Sequence, residues 1–233
     1  MNIKLSVIVP VYNEGENLEN AVTKLVQLLE KECADFEIII VDSDSKDNTW
    51  DVAEKLIGKY RKVRAIRQKE RKGFGNGLRA GYADARLDYV WYVDADLPYN
   101  LNDLKKALPF LGEYDAVIGY KTGKRENILR SIMSIVYNRL IRFVFNLPYR
   151  DINYSYKIIK RGVLNTLDLR SDGWFVTVEL LVELKNKGYH VKEILVPFVR
   201  RKMGTSKVSG NYWKTILYFL KEIVKYKMRL MRK

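Results

Sequence analysis

The chain has 233 residues, 47% of them hydrophobic, which suits one α/β domain with an appendage or at most two small domains, and not a disordered chain. A single cysteine, Cys33, excludes an internal disulfide and a Cys-based zinc cluster, and a single histidine, His190, argues against a His-rich metal site. The formal net charge of +14 is concentrated at one end, because residues 185–233 hold 14 basic and 2 acidic residues, so the partner there is an anionic surface or substrate, nucleic acid or lipid.

Residues 5–11 form an apolar, β-branched run that predicts a buried strand, with Pro10 near its end where a missing N–H is tolerated. After the polar loop 12–17, Leu18, Val22, Leu25, Val26 and Leu29 recur at helical spacing. A second strand over 36–41 ends in Asp42-Ser43-Asp44-Ser45, and Asn48 or Thr49 is placed to cap the next helix. Residues 63–66 predict a third strand. The Gly-rich stretch 72–81 then leads into a helix, without the Walker spacing and with Leu78 where a dinucleotide fingerprint needs its third glycine. Its glycines read better as small residues that let a helix pack close to a sheet. The fourth strand, Tyr89-Val90-Trp91-Tyr92-Val93, runs into Asp94-Ala95-Asp96. Residues 101–108 predict a helix, 116–119 a fifth strand, 128–145 an apolar helix, 156–160 a short strand, 175–185 a helix, 191–198 a strand and 212–233 a final helix. The alternation of strands and helices implies a mostly parallel sheet covered on both faces. His190, at the start of a strand, reads as structural. No signal peptide is expected before the first strand, and no apolar run reaches the roughly 18–20 residues needed to span a bilayer.

Ligands of such sheets bind at the carboxyl ends of the strands. The strand ending in Asp94 and Asp96 therefore carries chemistry. Side chains two apart on an extended backbone point the same way, and two carboxylates aimed at one spot repel unless a cation or proton lies between them. A divalent cation with oxygen ligands, carrying substrate phosphates, meets that need. Tyr12 and Glu14, just past the first strand, could stack on and hydrogen-bond a nucleoside. Arg130, Ser134 and Asn138 are spaced by four on an otherwise apolar helix, a pattern suited to an anionic headgroup on a hydrocarbon. Residues 201–207 set three cations and two hydroxyls around Gly204, which suits a polyphosphate. The last helix has Trp213, Ile216, Leu217, Leu220, Ile223, Val224, Met228 and Met231 on one face and Lys214, Lys221, Lys225, Arg229 and Arg232 opposite or flanking, the pattern of a helix lying in a membrane interface.

Taken in order, these segments resemble the family-two inverting glycosyltransferases of GT-A fold, especially the dolichyl-phosphate mannose synthase branch. The resemblance runs from about residue 5 to residue 208. Its carriers are residues 6–14, Val41-Asp42-Ser43 through Asp47 and Thr49, Asp94-Ala95-Asp96, Arg130/Ser134/Asn138, and Arg201, Gly204, Ser206 and Lys207. The resemblance implies that Pro10, Tyr12, Glu14, Val41, Asp42 and Ser43 hold the nucleoside. It implies that Asp94, Ala95 and Asp96 hold the diphosphate, with Mg2+ or Mn2+ on Asp96 and Asp94. Arg201 and Lys207 would contact the diphosphate sugar, and Arg130 and Ser134 the acceptor phosphate. Ser43 stands where the family usually has a second Asp, and Pro98 stands where mannose synthases often have a Gln ligand.

The expectation is thus a GT-A domain over residues 1–210 followed by a membrane-surface helix over 211–233. The enzyme would move a hexose from a GDP-mannose- or UDP-glucose-type donor to a polyprenyl or dolichyl phosphate at the inner face of the membrane. Asp94 and Asp96 would be its catalytic residues. If the acceptor were instead a sugar hydroxyl, in glycan or polysaccharide synthesis, a carboxylate base would be needed, and Asp151 is the candidate. Binding of nucleic acid through the basic tail and nicotinamide-dependent oxidoreduction are the remaining alternatives. The tail lacks interleaved aromatics on its polar face, and the dinucleotide fingerprint is missing.

Overall fold

The computed structural model describes residues 2–121, 128–199 and 212–231, with side chains for 2–121, 133–199 and 217–231. Seven strands form one sheet in the order β3-β2-β1-β4-β6-β5-β7. They are β1 (Lys4–Val11), β2 (Asp35–Asp42), β3 (Val63–Arg67), β4 (Tyr89–Tyr92), β5 (Ala116–Tyr120), β6 (Lys157–Lys160) and β7 (Val191–Leu195). All neighbouring pairs are parallel except those of β6, which runs antiparallel to both β4 and β5.

The central strands are apolar at successive positions because both faces of the sheet are covered. Val7 and Val9 of β1 join the core under α1 (Gly15–Glu32), α2 (Thr49–Lys59) and α4 (Leu104–Ala107), while Ile8 joins the other. That second core lies under α3 (Phe74–Asp84), α5 (Ile128–Phe145), the short α6 (Arg161–Leu164), α7 (Val176–Asn186) and α8 (Tyr212–Met231). The glycines of α3 are packing positions: a Cβ on Gly81 would lie 2.3 Å from Ile8 Cγ2, and one on Gly77 would lie 2.8 Å from Ser43 Oγ.

Some local expectations change. The stretch expected as a helix from 101 is a 3-10 turn, the single α-turn α4 and a second 3-10 turn containing Pro109, which has no N–H to continue an α-helix. β7 stops at Leu195, two residues before Pro197, and Val196 adds one last bond to Tyr120 O at 3.0 Å. Asn48 occupies the N-cap position of α2 without a side-chain bond, because the Asp47 carboxylate accepts the Thr49 N–H at 3.0 Å instead. A carboxylate is the stronger acceptor at a helix N-terminus.

The direction of β6 matters for function. β1, β2, β4 and β5 all end at one edge, whereas β6 begins there. Its preceding loop, 151–156, therefore arrives beside Asp94 and Lys121.

Candidate active site

The loops after β1 and β2 are fastened to each other. Asn13, at a left-handed φ of 50°, donates its N–H to Ser45 Oγ (2.9 Å) and accepts the Lys46 N–H at Oδ1 (2.8 Å). Glu14 N–H donates to Thr49 Oγ1 at 2.9 Å. Asp42 is fully buried, and its Oδ1 accepts the backbone N–H and the hydroxyl of Ser45. Among the described residues its Oδ2 makes no hydrogen bond; Arg67 Nε stands 3.8 Å away. Asp42 is the register partner of Val11, so this carboxylate lies at the strand ends just before Tyr12. The Arg71 guanidinium lies 3.8 Å over the Tyr12 ring. Ser43 donates to Gln68 Oε1 at 2.9 Å, and Gln68 donates to Asn76 Oδ1. Val41 and Ala95 are buried. Pro10 pairs with Val41 in the β1–β2 register, at the same edge.

The two acids are presented differently from the expected extended arrangement. β4 ends at Tyr92, and Leu97 N–H closes a turn onto Asp94 O at 3.0 Å, with Leu97 at φ 47°. A turn, not strand periodicity, brings Asp94 and Asp96 to one place. Burial pushes the Asp94 carboxyl from 3.8 up to about 7, the Asp96 charge adds to this, and Glu14 adds a further push. Ser155 and Tyr92 oppose the rise through their hydroxyls, the Tyr92 Oη donating to Asp94 Oδ2 at 3.4 Å. The pair fits a divalent cation in one respect: a cation between them would compensate the buried charge of Asp94, the main cause of its rise, and the smaller repulsion from Asp96. No group of three His, Cys, Asp or Glu side chains that could hold a metal exists among the described residues, so diphosphate oxygens and water would have to complete its shell.

Three residues that sequence periodicity did not single out join this edge. Ser155 faces Asp94. Lys121, past the end of β5, lies 3.6 Å from Asp151. Lys157, at the start of β6, is buried and donates to the carbonyls of Ile152 (3.3 Å) and Tyr154. Burial lowers its ammonium to about 8 against the pull of Asp151 and Asp94. The signal for Lys157 was a cation inside the apolar run Tyr156-Lys157-Ile158-Ile159.

The stripe on α5 is reassigned in part. Asn138 turns inward, donating to Ser134 O (2.9 Å) and accepting the Ile152 N–H (2.9 Å), so it holds the loop of Asp151 in place. Ser134 is half-buried one turn earlier, and the side chain of Arg130 lies outside the described residues. Arg201 and Lys207 also lie outside them. The last described residue before that segment, Val199, donates its N–H to Pro98 O at 2.8 Å, next to the acid turn. The N-terminus of α3 is closed to phosphate, since the N–H groups of Gly75 and Asn76 both donate to Asp172 O.

A strand edge carrying an acid turn with a cationic flank can be compared with known proteins. The Glycosyl transferase family 2 model matches residues 6–168. The chain belongs to that family. It is 33% identical over 236 residues to the dolichol-phosphate mannosyltransferase of Pyrococcus furiosus, covering 95% of this chain but 63% of that protein. It is 29% identical over 218 residues to the polyprenol monophosphomannose synthase of Mycolicibacterium smegmatis, covering 88% of this chain and 81% of that one. The fold matches glucosyl-3-phosphoglycerate synthase of Mycobacterium tuberculosis, solved with Mn2+, UDP and phosphoglyceric acid, at a TM-score of 0.64 and 19% identity, over 87% of this chain and 72% of that one. The architecture of this family-two glycosyltransferase is accordingly of GT-A type, an α/β sheet flanked by helices.

Proposed function

We propose that this glycosyltransferase moves a hexose from a nucleotide diphosphate sugar to a polyprenyl phosphate at a membrane surface, with inversion at the anomeric carbon. The observation that carries the proposal is the Asp94–Asp96 turn, whose mutual repulsion calls for a cation, set beside Tyr12 and the spare Asp42 Oδ2. Tyr12 and Asp42 would take the base, Ser43 and Glu14 the nucleoside's polar edge, and the acid turn the diphosphate. Mg2+ or Mn2+, when bound, supplies positive charge to the departing diphosphate. A phosphate oxygen of the acceptor forms the new bond to the anomeric carbon as the bond from that carbon to the diphosphate breaks.

A phosphate acceptor, with its second pKa near ~6, is already ionised and needs no base. Asp151, the base that a hydroxyl acceptor would require, is instead paired with Lys121, which favours the phosphate reading over glycan synthesis. Arg130 and Ser134 are the acceptor-phosphate candidates, and Arg201 and Lys207 the candidates for the sugar diphosphate. The names of the two relatives support a lipid phosphate acceptor and mannose.

α8 supports the membrane reading. Ile223 and Tyr226 are docked on the domain, whereas Leu217, Leu220, Val224, Met228 and Met231 form an exposed apolar row with Lys221 and Lys225 beside it. The expected single apolar face is thus divided, because Ile223 packs with Phe219, Tyr226 and Leu230 against the core, away from the exposed row. No described helix is long and apolar enough to cross a membrane.

The test is an assay of nucleotide sugars against polyprenyl phosphate with Mg2+ or Mn2+. A labelled glycolipid is expected with one donor, and no product with any donor refutes the proposal. Asp96→Ala is expected to abolish transfer while the protein stays folded; retained transfer would remove the metal role.

A further inference from the structure

Trp174 is unusual among the aromatic residues near the site. Its indole stacks on Phe74, with ring centroids 4.4 Å apart and planes at 13°, yet the residue is 46% exposed. One face is covered and the other is bare. Phe74 in turn meets Tyr92 edge-on at 5.7 Å, and the Tyr92 hydroxyl reaches Asp94. The bare indole face is therefore two ring contacts away from the acid turn.

The loop carrying Trp174 is held from three sides. The N–H groups of Arg170 and Ser171 donate to Glu179 Oε2 on α7, at 2.9 and 2.8 Å. From α3, Arg79 donates to Ser171 O and Asp172 Oδ1, and Gly75 N–H donates to Asp172 O. From α8, Tyr218 presses on Gly173 so closely that an added Cβ would lie 1.9 Å from its hydroxyl oxygen. A Trp on so constrained a backbone presents its ring at little entropic cost. Tyr218 is next in sequence to Leu217, the first described residue of the exposed apolar row of α8. Trp174 thus stands between the acid edge, reached through Phe74 and Tyr92, and α8, reached through its neighbour Gly173 and Tyr218.

We infer that Trp174, backed by Phe74, is the platform on which the isoprenoid segment next to the acceptor phosphate lies. This rests on the polyprenyl phosphate reading above. The phosphate must reach the sugar beside Asp94 and Asp96, while the hydrocarbon must leave toward a lipid surface, and the bare indole covers the ground between. A branched, unsaturated hydrocarbon gains both area burial and contact with a π face there. The donor hexose is the competing occupant of such a ring.

The experiment uses the full chain with Trp174→Ala and Trp174→Phe. For Trp174→Ala the KM for polyprenyl phosphate is expected to rise about tenfold, the scale of one lost aromatic contact with its buried area. The KM for the nucleotide sugar should stay unchanged, and Trp174→Phe should recover most of the loss. Without any donor present, farnesyl phosphate should blue-shift the emission of the parent protein but not that of Trp174→Phe. A raised KM for the nucleotide sugar would assign the ring to the hexose and overturn the inference. So would an unchanged KM for the lipid, with transfer to polyprenyl phosphate intact in the parent. If the parent uses no polyprenyl phosphate at all, the proposed function falls and this inference with it.

Discussion

Replacing Asp94 by Asn should make the metal-free protein more stable at neutral pH while removing its activity. The folded chain holds the Asp94 proton up to about pH 7, whereas the unfolded chain releases it near 3.8. Between these values the native state binds more protons than the unfolded state, so stability falls as pH rises through the window and is lowest above it. Each pH unit corresponds to about 1.4 kcal/mol, so the loss across the window is at most about 4 kcal/mol. Asn has nearly the same shape, keeps an acceptor for the Tyr92 and Ser155 hydroxyls, and carries no charge to desolvate. Urea unfolding of parent and variant at pH 4 and pH 8, with chelator present, checks the reasoning. The two should be close at pH 4, and the variant should be several kcal/mol more stable at pH 8. Adding Mg2+ at pH 8 should raise the stability of the parent, because a ligand that binds only the native state stabilises it, and should do much less for the variant. A variant less stable than the parent at pH 8, or a difference that does not change with pH, would refute the account of Asp94 as a strained, desolvated acid.

Lys157→Met should destabilise by about 2–5 kcal/mol in urea, since it strips two buried carbonyls, those of Ile152 and Tyr154, of their donor; a loss under about 1 kcal/mol would mean the loop is held by other contacts. Gly81→Ala should cost about 1–3 kcal/mol by overpacking, and trimming Ile8 to Val in the same chain should recover part of it, a cycle that unfolding curves can read. Val224→Glu on the outer row of α8 should change stability by less than about 0.5 kcal/mol yet release the protein from anionic vesicles in a flotation assay; unchanged flotation would count against the membrane role of that row.

Much of the fold was legible in the chain. Apolar runs ending in acids marked the parallel strands, because strands buried on both faces must be apolar throughout and ligand-binding groups gather where they leave the core. Helix α5 fell at its expected bounds, as its apolar spacing is strong and uninterrupted. Asp42, Asp94 and Asp96 were visible for the same reason. What stayed hidden depended on partners distant in sequence. The antiparallel direction of β6 cannot be read from Lys157-Ile158-Ile159-Lys160, since pairing direction is decided between strands. Yet it is this direction that brings Ser155, Asp151 and Lys157 to Asp94. The inward turn of Asn138 and the splitting of α8 into a docked and an exposed face arise likewise from packing.

From the sequence alone came the class of sheet, the candidate edge with its two acids and the charge of the C-terminal end, all properties of local pattern and composition. Only the tertiary structure showed that a turn gathers those acids, that Asp151 is paired with Lys121, and that α8 meets the loop of Ser171 and Gly173 through Tyr218 and Glu222. The last two depend on contacts between segments distant in sequence, which no local pattern encodes, and the turn depends on the left-handed backbone of Leu97, which its side chain does not announce.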